Sequence, residues 1–391
     1  MKKFLIFIFV CLALNANSAN IIRGPYTQDP EPTTAVIRFF TDEPTPAWIE
    51  YGPQGQCNLV MTNSPKQKNH SITLHGLIPN TQFCYKVYVQ NADGTGVQEA
   101  QEGTFTTAYT AERKELNLLV LGNTADPNSN AGGIKQQLAQ SMLNHPADLL
   151  IHTGNIATEG KAVNANTDFY EPFKEVLKKT PYIAALGADE YGPDRDKQEG
   201  KGFLNSNYKP LNSMPWSKGT PNYYYYDSAN ARIIVIDTNN LYDAIFAPKL
   251  ERDSKQYEWL KTALAQAGAD KWKIVVLHHP VYSSGASEDK LSQFLAPLFE
   301  AHKVNLVLQG HQGAYERTKP IRAAESSKSG PIYVTIGGAG RAFEQPSYSN
   351  EWTSKYYATP HFAHIKIVDR KLSLRVYSHE DKKFDALDIY F

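Results

Sequence analysis

The sequence predicts a two-domain, β-rich α+β protein, an N-terminal β-sandwich followed by a larger layered α/β domain. Two observations predict it. Apolar residues alternate in short runs between Pro, Gly and Asn turns up to about residue 108, and beyond 115 apolar strand-like runs alternate with helical segments. At 391 residues the chain also exceeds what a single core usually covers, and its 41% hydrophobic content is enough for a large interior. Aromatic residues make up 12% and charged residues 20%, a mix richer in strand formers than a helical bundle would show. Forty basic residues balance forty acidic ones, so no global field would draw the chain to nucleic acid or to an anionic membrane.

Residues 1–20 are expected to be a signal peptide. Lys2 and Lys3 precede an apolar run from Phe4 to Leu14, followed by small and polar residues from Asn15 to Asn20. The run is shorter than the ~20 residues that cross a bilayer, so no membrane span is expected and a secreted or periplasmic location follows. Export leaves Cys57 and Cys84, either as a bridge or as two separately buried thiols.

The first domain is placed at 21–108. Ala35–Phe40 alternates, Ala47–Gly52 follows a Pro-rich turn, and Ser71–Leu74 leads into the run Leu77–Val87. That run and the entry Arg23-Gly-Pro-Tyr26 resemble the fibronectin type III-like domain in front of many purple acid phosphatases, with Phe83 where a corner tyrosine is usual.

The second domain is placed at 115–391. Strands are expected at 116–121, 148–152, 182–186, 231–236, 272–277, 304–308 and 332–336, with helices at 133–145, 169–179, 254–267 and 290–302. Tyr223 to Tyr226 reads as a strand of alternating rings, and Gly337 to Gly340 as a tight turn. Ligands of such folds collect at the carboxyl ends of strands. After successive strands stand Gly122-Asn-Thr-Ala125, Gly154-Asn-Ile-Ala-Thr158, Gly187-Ala-Asp-Glu190, His278-His-Pro280 and Gly310-His-Gln-Gly-Ala-Tyr-Glu-Arg317.

These five blocks resemble those of the calcineurin-like metallophosphoesterases and, through Tyr315-Glu316-Arg317 and the leading β-domain, the purple acid phosphatases. The resemblance implies a dinuclear centre of iron with zinc, manganese or a second iron, acting on phosphate esters. This chain departs from the pattern at five of seven ligand positions: Asn123 and Asn155 replace aspartates, Thr158 the tyrosinate, Ala188 an asparagine and Gly313 a histidine. His278 and His311 remain, and Asp189 stands where the family has its proton-donating histidine. Three anions lost beside multivalent ions remove ~4 kcal/mol per unit-charge pair at ~4 Å and an effective dielectric of 20, so no tightly bound metal is expected. The sequence therefore predicts a catalytically silent homologue. The alternative is a phosphoesterase with a rebuilt site, in which His278, His311 and Asp189 hold one weakly bound zinc or manganese ion, with Glu190, Asp126 or His279 nearby. A partner-binding surface on the β-domain is a third reading, with no partner named by the sequence.

Overall fold

The computed structural model describes residues 19–391 apart from 92–96, 127, 129–131, 193–217, 243, 286–288, 341–342, 344 and 347–349. The expected leader up to residue 18 and most of the Glu190–Thr220 connection lie outside the described residues.

The N-terminal region is built on five strands, β1 (Ile21–Gln28), β2 (Thr34–Pro53), β3 (Val60–His75), β4 (Gln82–Gln90) and β5 (Val97–Thr106). β2 serves two layers. It pairs with β1 at Val36–Thr41 and with β4 at Ala47–Pro53, and register shifts between Phe40 and Ala47 bend it in between. Alternate residues Ala35, Ile37, Phe39 and Tyr85, Val87, Val89 fill the space enclosed. Phe83 is buried there and stacks on Phe105 at 5.6 Å. Of the two states open to Cys57 and Cys84, the bridge is formed, with Cα atoms 5.2 Å apart.

The larger region carries two sheets packed face to face. One has the order β20-β19-β18-β6-β7-β8, built from β6 (Glu115–Leu121), β7 (Leu149–His152), β8 (Tyr182–Ala184), β18 (His361–Val368), β19 (Lys371–Ser378) and β20 (Lys383–Tyr390). The other has the order β17-β13-β16-β12-β11-β10-β9. Its strands are β9 (Tyr224–Ser228), β10 (Ala231–Val235), β11 (Trp272–Val276), β12 (Leu306–Gln309), β13 (Tyr315–Thr318), β16 (Ile332–Ile336) and β17 (Thr353–Tyr357). A small hairpin, β14 (Ile321–Arg322) and β15 (Glu325–Ser326), stands apart. Period-two burial divides the parallel strands between two cores. Ile233, Val235, Ile274, Val276, Leu306 and Leu308 meet Leu118, Val120, Ile365 and Leu374 between the sheets. Ile234, Val275 and Val307 face Leu260, Leu264, Leu291 and Phe299 on the outer helices. The rings of Tyr224 and Tyr226 are buried and that of Tyr225 is half-buried, the alternation expected of a strand.

Helices α1 (Gly132–Met142), α4 (Lys255–Gln266) and α5 (Asp289–Ala301) fall where the sequence places them, and Ser254 caps α4 by accepting from the Tyr257 N–H at 3.2 Å. The helix expected over 169–179 is instead broken. Short α2 (Ala162–Ala165) runs into a π-turn at Asn166–Tyr170, and α3 (Lys174–Leu177) follows. Pro172 has no N–H to continue the ladder and its ring crowds the preceding turn, which accounts for the break. The turn is put to use: Tyr170 stacks on Tyr26 of β1 at 4.7 Å, and Arg23 donates to the side chain of Asn166 and the carbonyl of Ala162. No helix among the described residues is long and apolar enough to cross a membrane.

His70, His152 and His361 are fully buried, and burial pulls their pKa values from 6.5 down to about 4, 3 and 4. An unfolded chain takes up these protons first, so the stability is complete above ~6.5 and is lost as pH falls toward 4. Because the raised pKa of the buried Glu190 acts in the opposite direction over this range, the histidine contribution is read from a variant: between pH 7.5 and 5 the unfolding free energy in urea should fall less in His152→Gln than in wild type, by about 1–2 kcal/mol. An equal fall in both proteins would contradict these environments.

Candidate functional site

Five loops converge at the carboxyl ends of β6, β7, β8, β11 and β12. The first two are zipped together: Asn123 N–H donates to Gly154 O at 3.0 Å and Ala125 N–H to Asn155 O at 2.8 Å. The fourth and fifth are joined by Gly310 N–H to His278 O at 2.9 Å. Asn123, Asn155 and His311 all have left-handed backbones, with φ of 56°, 55° and 67°, a conformation that Asn and His tolerate better than most residues. Gly337 and Gly340 form more than the tight turn expected. A Cβ on Gly337 would lie 1.9 Å from Gln312 O and 2.9 Å from Asn123 Nδ2, so the close approach of first and fifth loops requires glycine there.

The side chains at the five substituted positions offer little to a cation. Asn123 Nδ2 donates to the carbonyls of His311 (2.9 Å) and Gln312 (3.3 Å), leaving its buried Oδ1 without a hydrogen-bond partner among the described residues. Asn155 Oδ1 accepts from Asp189 N–H at 3.1 Å, so its buried amide NH2 is the group left over. Thr158 donates its hydroxyl to Asp168 Oδ2 at 2.8 Å. Ala188 and Gly313 offer no side-chain donor atom. A pair of multivalent cations needs anionic oxygens, and these positions supply one neutral oxygen and one N–H donor. The residues present do not fit a dinuclear centre.

Charge is instead managed internally. The buried Glu190 carboxylate accepts four backbone N–H groups, from Asn155 (2.9 Å), Ile156 (2.7 Å), Ala157 (3.2 Å) and Gly187 (2.7 Å), and so ties the second loop to the third. Burial pushes its pKa up to about 8, reinforced by neighbouring Asp189 and opposed by the N–H groups. The second charged element is a buried ion pair. Lys135 Nζ lies 3.2 Å from Asp168 Oδ1, while Asp168 Oδ2 takes both the N–H and the hydroxyl of Thr158 at 2.8 Å. A Cβ built on Gly340 would sit 2.9 Å from Lys135 Cε and 3.0 Å from Asn123 O, which puts this ammonium side chain beside the first loop.

The two retained histidines are joined by a third. One ring nitrogen from each of His278, His279 and His311 falls within a mutual distance of 4.8 Å, with His278 and His279 fully buried and His311 half-buried. Asp189, Glu190 and Asp126 are not among the grouped atoms. Asp189 presents its N–H to Asn155, and Asp126 Oδ1 accepts from Asn128 N–H at 3.3 Å. The Tyr315-Glu316-Arg317 run is structural. Tyr315 and Arg317 both hold Asp385 at 2.6 Å, and Glu316 accepts from Ser284 N–H, Ser284 Oγ and Thr353 Oγ1. Lys135 and Asp168 went unseen in the sequence, although a lysine on the core-facing stripe with Leu138, Ala139 and Met142 is a signal of a buried pair.

Two face-to-face sheets with polar loops at the strand ends define the class as a phosphoesterase-type layered α/β fold. Residues 124–315 match the family described as calcineurin-like phosphoesterase. Human acid phosphatase type 7 is 24% identical over 355 residues, covering 79% of this chain and 76% of that protein. Purple acid phosphatase 18 of Arabidopsis thaliana is 29% identical over 203 residues, 47% of this chain and 43% of that protein, so the match spans less than half of that relative. The structure of a purple acid phosphatase from yellow lupin (Lupinus luteus) seeds superposes with a TM-score of 0.75 over 96% of this chain and 75% of that chain, at 17% identity. Residues 124–315 thus carry a calcineurin-like phosphoesterase domain, and the chain as a whole is similar to purple acid phosphatases in sequence and fold.

Replacing Lys135 by Met leaves the Asp168 carboxylate buried without its counter-charge, which should cost about 3–5 kcal/mol of unfolding free energy. Adding Asp168→Asn should recover part of it. A Lys135→Met loss below ~1 kcal/mol in urea denaturation would show that the pair contributes little.

Proposed function

We propose that this chain is an exported, catalytically silent purple acid phosphatase homologue, kept as a binding or structural protein. The observation that carries this reading is polarity at the centre of the site. Asn155, at the position the family uses to bridge two metals, commits its oxygen to Asp189 N–H and leaves an NH2 group where a cation would need an anionic oxygen. Hydrolysis in this family needs hydroxide generated at a metal, two cations on the phosphate, and a proton for the leaving group. Asn123, Asn155 and Thr158 undo the first two, and Ala188 and Asp189 the third.

Export is supported by the basic, apolar and small-residue order of residues 1–20 and by the Cys57–Cys84 bridge, which persists in oxidising compartments. Residues 21–108 and 115–391 are taken as two domains, joined by the Tyr26–Tyr170 stack, Arg23, and the Lys218–Glu31 ion pair at 2.7 Å.

An assay on an aryl phosphate, across acid to neutral pH with added manganese, zinc or iron, should show no turnover above a chelated control. Single reversions should stay silent, because groups that act as a unit fail together. The combined variant Asn123→Asp, Asn155→Asp, Thr158→Tyr, Ala188→Asn, Asp189→His and Gly313→His should gain metal and some activity on the preserved loops. Wild-type turnover that disappears in His278→Ala or His311→Ala would overturn the silent reading.

A further inference from the structure

The residues left behind when the anionic ligands are gone form a set of their own. His278 and His279 lie just past the end of β11, where the chain bends at both residues, so both rings enter the same space although consecutive strand residues face opposite sides. Ring centroids are 5.0 Å apart for His278–His279, 5.3 Å for His278–His311 and 4.8 Å for His279–His311. Two of the rings are held through Nδ1. His278 Nδ1 lies 2.9 Å from Thr153 O, and His279 Nδ1 lies 2.8 Å from Thr238 Oγ1. The carbonyl of Thr153 can only accept, so His278 carries its proton on Nδ1 and presents Nε2 as a lone-pair donor. Backing of one imidazole nitrogen by an oxygen is the arrangement that orients metal-ligating histidines. Tyr242 stacks on His279 at 4.4 Å and fixes that ring further, and His311 sits in the left-handed backbone region at φ 67°.

We propose that His278, His279 and His311 form a site for one divalent ion of the borderline class, zinc above all, with His279 as a ligand the dinuclear pattern does not use. Three neutral imidazoles without a carboxylate or phenolate favour zinc, copper or nickel over iron(III), manganese or magnesium. Zn–N bonds of ~2.0–2.1 Å in tetrahedral geometry place ligand nitrogens ~3.3 Å apart, so the 4.8 Å grouping closes by about 1.5 Å at most. That movement is within the reach of small ring rotations. Because the rings must rotate to close on it, the ion is held in exchange with solution and is not retained through purification. The fourth position falls to water or an anion, which makes the ion a docking point for an anionic ligand and does not restore the two-cation clamp.

The proposal rests on loss of the dinuclear centre, and one titration separates the two. The mature protein is titrated with Zn2+ by calorimetry and with Co2+ by visible spectroscopy. The expected result is one ion per chain, the intense d–d absorption of four-coordinate Co2+, and at least tenfold weaker binding in His279→Ala. Because His279 is buried, Thr238→Val serves as a second variant. It removes the oxygen that orients the ring and that also accepts the His279 N–H at 3.1 Å, and it should weaken binding while leaving wild-type circular dichroism. One ion bound equally well by wild type and by both variants overturns the proposal and leaves the silent reading intact. Two ions per chain overturn both, and no zinc binding at all overturns the three-histidine site alone.

Discussion

The arrangement of the site depends on one buried carboxylate. Glu190 gathers backbone N–H groups from Asn155, Ile156, Ala157 and Gly187, and no other described group touches as many points of the second and third loops. Those N–H groups would otherwise be buried and unsatisfied, at a cost of about 1–3 kcal/mol each. The same loop is tied to the first by Asn123 N–H and Ala125 N–H, and the first to the fifth by the Asn123 side chain. The loops therefore keep their geometry through hydrogen bonds that owe nothing to an ion.

Substitution of aspartate by asparagine changes charge at nearly constant shape, and the consequences here differ between the two sites. At Asn123 the new NH2 bridges two carbonyls of the fifth loop, a role an ionised aspartate could not fill because it has no proton to donate. At Asn155 the oxygen accepts from Asp189 N–H, and the buried NH2 is left without a hydrogen-bond partner among the described residues. Nearby, the Lys135 ammonium supplies a covalently attached positive charge beside the first loop, paired with Asp168. These neutral and internally paired groups leave no excess negative charge at the substituted positions.

Much of the fold was legible because its strands obey simple periods. The runs at 116–121, 231–236 and 272–277 are near-continuous apolar segments, as parallel strands buried on both faces should be. The closing meander of β18, β19 and β20 was not anticipated, although the residues of β19 alternate between buried and half-buried. Its strands pair with β6 at the far side of the chain, a contact no local pattern encodes. The five loops were placed correctly by the rule that ligands gather at strand ends, but side-chain direction within them was not. Whether Asn155 offers oxygen or nitrogen is decided by Asp189 N–H, 34 residues away. His279 stood in plain view beside His278, and the bend of the chain at these two residues brings both rings to one place.

The central claim is that this scaffold has lost its dinuclear centre while keeping its shape. Metal content and visible spectrum of the exported protein, purified without chelators, test it most directly. The account predicts a colourless protein with no iron and well under one retained metal per chain, since Thr158 has no phenolate for charge transfer to iron and its hydroxyl is bound to Asp168. A visible charge-transfer band with two metals per chain, one of them iron, would contradict it.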